Sequence, residues 1–326
     1  MSGSVLTYTF LGPEGTFTEA ALLQVPGAAD ANRVPCTNVN TALERVRQGE
    51  ADAAMVPIEN SVEGGVTATL DAIATGTELR IIREALVPIT FVLVARPGVK
   101  ISDIRRVSTH GHAWAQCRLW VDENIPNAEY VPGSSTAAAA VGLLEGDVHY
   151  DAAICAPLVA AERPGLNILA ENIGDNPGAV TRFVLVSRPG ALTERTGADK
   201  TTVVVPLPED RPGALMEILD QFATRGVNLS RIESRPTGQY LGHYFFSIDA
   251  DGHASDARVA DAWQACTGSA RPPASWGLMR GRTSRKPSWL RIPPTPRSHP
   301  RTPGSGPFWV GNRALDRPES ASQSVG

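Results

Sequence analysis

A chain of 326 residues, 42% hydrophobic and 20% charged, with a net charge of −4, has the length for two or three domains and the composition of a globular protein. No apolar run approaches the roughly 18 residues of a membrane helix. The first residues lack the basic flank and long apolar core of a signal peptide, so a cytoplasmic protein with no membrane partner is expected. Cys36, Cys117, Cys155 and Cys266 lie far apart with no CxxC pair and read as reduced, mostly buried thiols. Residues 267–326 hold ten Lys/Arg against two acidic residues, which leaves an acidic body with no nucleic-acid partner expected.

In chain order, short β-like runs alternate with amphipathic helical runs. "LTYTFLG" reads as a strand and "EGTFTEAALLQV" as a helix. "VNTALERVRQGE" is a helix closed near Gly49, and "ADAAMVPIEN" is a strand of small residues with a polar end. "PITFVLVARPG" and "RRVSTHGH" read as strands, the second leading into the helix "AWAQCRLWVDEN". "SSTAAAAVGLLEGD" is a helix with a Ser/Thr cap, and "YDAAICAPLVAAER" is a strand followed by a helix. The turn-rich "GDNPGAVTRF" then feeds the strand "VLVSRPG". This rhythm predicts α/β lobes with largely parallel sheets, whose ligands sit beyond strand C-termini and near helix starts.

Arg188–Lys200 is polar and aperiodic and reads as a linker. "TTVVVPLP", "RPGALMEILDQFATRG", "NLSRIESRP", "YLGHYFFSIDADG" and "SDARVADAWQAC" then follow as βαββα, one strand short of a ferredoxin-like βαββαβ unit. From Thr267 periodicity vanishes, and the Arg-, Pro-, Ser- and Trp-rich tail is expected to be mostly disordered, leaving a sheet edge bare. The composition switch resembles out-of-frame coding; a native basic segment for an acidic partner is the alternative.

Three polar segments fall where ligands sit. "PIENSVEGGV" offers Glu59, Asn60 and Ser61 at a strand end; an ordinary Asx turn is the plain alternative. "STHGHAWAQC" invites a metal through His110, His112 and Cys117, but no further His/Cys cluster completes a zinc set, so a polar helix start with Gln116 toward the cleft is preferred and no metal is expected. "GSSTAAAA" places Ser134, Ser135 and Thr136 at a helix start, which caps the helix and also suits a carboxylate. Hydroxyls, amides and helix starts without a nucleophile–base pair fit a small carboxylate substrate and a reaction needing orientation and one proton.

The segments "FLGPEGTFTE", "PIENSVEGGV", the stretch from His110 to "QC", "SSTAAAA", "GDNPGAVTRF", "GALMEIL" and "NLSRIESRP" together resemble the prephenate dehydratases, in order and across about residues 5–265. One segment departs: the family more often reads Ser-His-Pro-Gln-Ala where this chain has "THGHAWAQC", which bears on His110 and His112. The resemblance implies two α/β lobes similar to type II periplasmic-binding-protein lobes over residues 5–190, a linker over 191–200, an ACT domain over 201–266 lacking its last strand, and the tail over 267–326. It implies decarboxylating dehydration of prephenate to phenylpyruvate without a cofactor, feedback by L-phenylalanine, and a homodimer or homotetramer. Thr181 becomes the acid, with Asn60 and Gln116 as its catalytic partners and Ser61, Ser135, Thr136, Arg182 and Phe183 lining the site. Gly213, Ala214, Leu215, Asn228, Leu229, Glu233, Ser234, Arg235 and Pro236 become the phenylalanine site, where small side chains at Gly213 and Ala214 allow close approach. Arogenate dehydratase is the second enzyme reading; a non-catalytic amino-acid sensor is the alternative of another class, disfavoured because a sensor has no use for the acid.

Overall fold

The computed structural model describes residues 5–146, 148–207, 211–238, 243–267 and 277–280. The first lobe is built from β1 (Thr7–Leu11), α1 (Phe17–Leu22), β2 (Asn32–Cys36), α2 (Val39–Gln48), β3 (Ala53–Asn60), β4 (Gly64–Gly65), α3 (Thr67–Ala74) and β5 (Arg80–Pro88). The chain crosses into a second lobe of β6 (Val92–Ala95), β7 (Arg106–Thr109), α4 (Gly111–Gln116), α5 (Arg118–Asn124), β8 (Glu129–Pro132), α6 (Thr136–Glu145), β9 (Ala152–Cys155), α7 (Pro157–Glu162) and β10 (Asn167–Ala170). It then returns to the first lobe as β11 (Val180–Ser187). A third sheet follows, with β12 (Asp199–Pro206), α8 (Ala214–Ala223), β13 (Leu229–Pro236), β14 (Tyr244–Asp251), α9 (Ala257–Thr267) and β15 (Gly277–Arg280).

Local rules account for the helices that frame the cleft. Asn38 caps α2 by accepting from Thr41 N–H at 2.8 Å, Gly49 closes it in the left-handed conformation, and Val39, Ala42, Leu43 and Val46 form its buried stripe. Ser135 caps α6 by accepting from Ala138 N–H at 2.9 Å, a contact worth about 1 kcal/mol. The single helix expected over 113–124 is broken at Cys117, whose φ/ψ of −119°/10° ends α4 and begins α5.

The sheets are mixed where largely parallel ones were expected. The first has the order β2-β1-β3-β11-β5 with β4 beside β3, and the second β10-β6-β9-β7-β8. Strands β2, β1 and β3 run parallel, but β11 pairs antiparallel with both β3 and β5. The chain leaves the first lobe on β5 and re-enters it on β11, and these two neighbours therefore run in opposite directions. The second lobe repeats the arrangement, with β6 antiparallel to β9 and β10.

The third sheet has the order β13-β14-β12-β15, the arrangement of a complete βαββαβ unit. This corrects the expectation of a missing last strand: Gly277–Arg280 pairs antiparallel with Asp199–Thr202. Gly277 spoils the alternation that would mark a strand, yet the four residues contain no proline, so every amide can enter the ladder. The pairing covers only half of β12; among the described residues Val203–Pro206 has no strand beside it on that edge. The rest of the expected disordered tail lies outside the described residues. β12 also begins at Asp199, inside the expected linker. Hydrogen exchange should show protection across 277–280, and a chain ending at residue 276 should exchange faster at Asp199–Thr202.

Candidate active site

The site begins with the two-residue period of β11. Thr181 and Phe183 face a cleft of about 400 Å³ between the lobes, while Arg182 between them points to the back of the sheet. Thr181 stands opposite Asn60 in the β11–β3 ladder and is only 6% exposed. Asn60 Oδ1 accepts from Val62 N–H at 2.7 Å, so its amide is turned with Nδ2 toward Thr181 and donates to Thr181 Oγ1 at 3.0 Å. The hydroxyl oxygen is thus already an acceptor, and its proton is the part left to give away. Ser61 fastens the start of the strand: its N–H donates to the Val180 carbonyl and its Oγ accepts from Val180 N–H, both at 2.9 Å.

Gln116, Ser134, Ser135 and Thr136 line the cleft from the second lobe, facing Thr16, Phe17 and Thr18 at the start of α1. Their helix starts bring partial positive charge to the cleft from both sides. Apart from His110 and His112, no ionisable side chain lines it among the described residues. The two imidazoles stack with centroids 5.1 Å apart. His112 Nδ1 lies 2.6 Å from Glu63 Oε1 of the first lobe. Burial, and then the neighbouring His112, push His110 below its ordinary value. Cys117 is packed in the core of the second lobe, with its thiol pushed up by burial, and Cys155 is likewise pushed up to about 12.

Two expected lining residues need correction. Ser61 is exposed and is not part of the cleft wall; it acts on the Val180 backbone. Arg182 is excluded from the cleft by strand alternation. Its side chain is 7% exposed, and its guanidinium meets Asp249 Oδ2 at 2.6 Å, Glu59 Oε2 at 2.9 Å and Glu84 Oε2 at 2.9 Å. Asp249 belongs to β14 of the third sheet and is also bound by Arg231 at 2.9 Å and by the Thr202 hydroxyl at 2.7 Å. Burial works against the charge of Arg182, but Asp249 and Glu84 more than offset it and raise its pKa. Burial likewise works against the Asp249 carboxylate, yet Arg182 and Arg231 hold it well below the usual carboxylate range. Thr16 and Thr18 were missed in the sequence, although hydroxyls at a helix start were the available signal. Glu84 and Asp249 carried no local signal.

The expected effector residues are divided between the two faces of the third sheet. Gly213 caps the start of α8 with φ of 90°, the left-handed conformation that glycine adopts freely, and a Cβ there would meet no other atom of this chain. Ala214 borders a cavity of about 260 Å³ with Pro206, Ile218 and Cys266, and Leu215 packs against the adjoining core. Asn228 donates to Asp251 at 2.6 Å, next to Leu229 at the start of β13. Ser234 and Pro236 are exposed. Glu233 and Arg235 instead reach the first lobe: a Cβ at Gly65 would collide with the Glu233 carboxylate, and Arg235 pairs with Asp71 at 2.8 Å.

A two-lobed α/β cleft holding a buried threonine hydroxyl, with a βαββαβ module docked behind the strand that carries it, defines a two-lobed α/β protein with a ferredoxin-like module. A family profile described as prephenate dehydratase matches residues 8–191, and one described as ACT domain matches residues 201–268. A prephenate dehydratase of Amycolatopsis methanolica is 47% identical over 254 residues, spanning 78% of this chain and 81% of the relative. The crystal structure of prephenate dehydratase in complex with L-Phe from Arthrobacter aurescens is 86% identical at a TM-score of 0.77, covering 80% of this chain and 85% of that one. GqqA, described as a novel type of quorum quenching acylase, is 29% identical at a TM-score of 0.72, covering 84% and 98% of the two chains. The chain belongs to the prephenate dehydratase family, a family of carbon–oxygen lyases, and carries an ACT domain.

The depressed Asp249 pKa has a pH consequence. A carboxylate more acidic when folded contributes stability in full above its ordinary value of 3.8 and loses it as pH falls through the lower native value. The stability difference between the wild type and Asp249→Asn in urea should therefore stay constant from pH 7 to about 5 and shrink below about 4.

Proposed function

We propose that the cleft binds prephenate and expels its ring carboxylate as CO2 and its ring hydroxyl as water, giving phenylpyruvate, with Thr181 as the acid. The supporting observation is the Asn60–Thr181 hydrogen bond at 3.0 Å, whose direction leaves the threonine proton for the departing oxygen. The ring C–C bond to the carboxylate breaks, its electron pair enters the ring, and the C–O bond breaks as the oxygen takes up the Thr181 proton. Water then restores that proton. Aromatisation supplies the thermodynamic drive, so the enzyme has to hold a dianion, exclude water and ease the departure of hydroxide.

A threonine hydroxyl is a weak acid, but the leaving oxygen becomes strongly basic as its bond lengthens. Negative charge that builds on Thr181 Oγ1 is met by the Asn60 N–H already aimed at it, a donor that needs no reorganisation. Ser134–Thr136 and Thr16–Thr18 would receive the two carboxylates through hydroxyls and helix starts, and Gln116 would orient the ring. Because one fold can host different chemistries, this reading rests on the site.

Regulation belongs to the same proposal. L-phenylalanine would bind where two ACT domains meet, beside the Gly213–Leu215 turn and the Glu233–Pro236 segment. Strand β13 has β14 as its partner on one side, and Ile232 on it is 43% exposed, which suits pairing with a second copy. Glu233 and Arg235 would carry the bound state to the first lobe.

Thr181→Ala should lower kcat for phenylpyruvate formation by about 10²-fold or more, with a smaller change in KM, and Thr181→Ser should retain more activity. Near-normal turnover in a folded Ala variant would reject Thr181 as the acid. Rates on prephenate and arogenate measured side by side decide the substrate. Glu233→Ala should keep turnover and weaken inhibition by phenylalanine; full inhibition in that variant would count against the effector assignment.

A further inference from the structure

We propose that the ACT sheet supplies a positioning residue for the reaction: Asp249, acting through Arg182, fixes the start of β11 so that Thr181 faces the cleft at the correct height. The proposal rests on the reading of Thr181 as the acid.

The geometry of two adjacent ladder positions carries it. Thr181 stands opposite Asn60 and Arg182 opposite Glu59, so the acid on the front and the arginine on the back share the same short piece of backbone. Immediately beyond, the register shifts between Arg182 and Phe183, and Ile58 of β3 is the extra residue. The bulge interrupts the ladder on the β3 side, while the β5 ladder runs unbroken through Val180–Leu185, so toward β3 side chains add to the backbone in setting the strand's position. On the front, Asn60 binds Thr181. On the back, Arg182 is tied to Glu59 and Glu84 within its own sheet and to Asp249 outside it, the shortest of the three contacts.

Asp249 is suited to the task of a fixed anchor. It is fully buried, and Arg231 grips both of its oxygens, at 3.0 Å from Nε to Oδ2 and 2.9 Å from Nη2 to Oδ1. The Thr202 hydroxyl binds it from the neighbouring strand β12. Its position is therefore that of the third sheet, and Arg182 transmits it to the backbone beside Thr181. A planar guanidinium held at several atoms fixes direction as well as distance, which an ammonium group cannot do. An acid must meet its leaving group within hydrogen-bond reach, and a displacement near 1 Å can cost about 10²-fold in rate.

The test uses the full-length chain without phenylalanine and compares Asp249→Asn, Arg182→Lys, their double variant and Asp71→Asn. The last variant breaks the Arg235–Asp71 pair, which also joins the third sheet to the first lobe but does not touch β11. Expected is a fall in kcat of roughly 10- to 100-fold for each of the first two, with KM for prephenate nearly unchanged. The double variant should be no slower than the slower single one, and Asp71→Asn should turn over like the wild type. If Asp249→Asn does not fold, Arg182→Lys decides. Wild-type kcat in the folded variants, whatever their melting temperatures, overturns the proposal, as does an equal loss in Asp71→Asn. An inactive wild-type chain would take down the proposed function as well; an active one with indifferent variants takes down this proposal alone.

Discussion

Successive residues of a strand face opposite ways, and at the start of β11 this rule divides the molecule's two tasks between neighbours. Thr181 and Phe183 look into the cleft, and Arg182 looks into the contact with the third sheet. A one-residue slip of β11 would turn the arginine into the cleft and the hydroxyl into the interface. The register is held by antiparallel partners on both sides, by the Ser61 clamp on Val180 and by the buried ion cluster behind. Removing one member of such a cluster leaves an uncompensated buried charge, at a cost of about 3–5 kcal/mol.

Charge is distributed in a way that fits this division. Arg182, Glu84 and Asp249 stand behind β11, paired and buried, while the cleft is lined by hydroxyls, amides, apolar side chains and two histidines. Fixed dipoles of this kind can hold an anion without a mobile cation. A buried hydroxyl with an assigned hydrogen bond stands in a definite place and direction.

Much of this was legible in the sequence, and the losses have physical causes. The strands β1, β3, β6, β7, β9, β11, β12, β13 and β14 announce themselves through apolar runs or alternation. Of the strands passed over, β2, β5 and β8 lie at sheet edges, where fewer apolar residues are needed and proline is tolerated, as in "NRVPC" and "EYVP". In β5, "RIIREALVP", the charged Arg83–Glu84 pair breaks the pattern, and Glu84 is one of the carboxylates that Arg182 requires. The hydroxyls of the cleft could be found because each stands at a turn or helix start. The direction of Arg182 could not, because the register that turns it away and the Asp249 that receives it are set by strands far off in the chain.

The second lobe is an uninterrupted stretch inserted between β5 and β11 of the first. A ribosome therefore delivers the whole of it before the strand bearing Thr181. Until then β3 and β5, the two strands that β11 separates, each expose an unsatisfied edge in the nascent chain. The last strand to enter the first sheet is the one that closes this gap, joins the lobes for a second time and carries Thr181. No nascent intermediate can thus present the Thr181 hydroxyl to the cleft while that sheet is still open to pairing with a stranger.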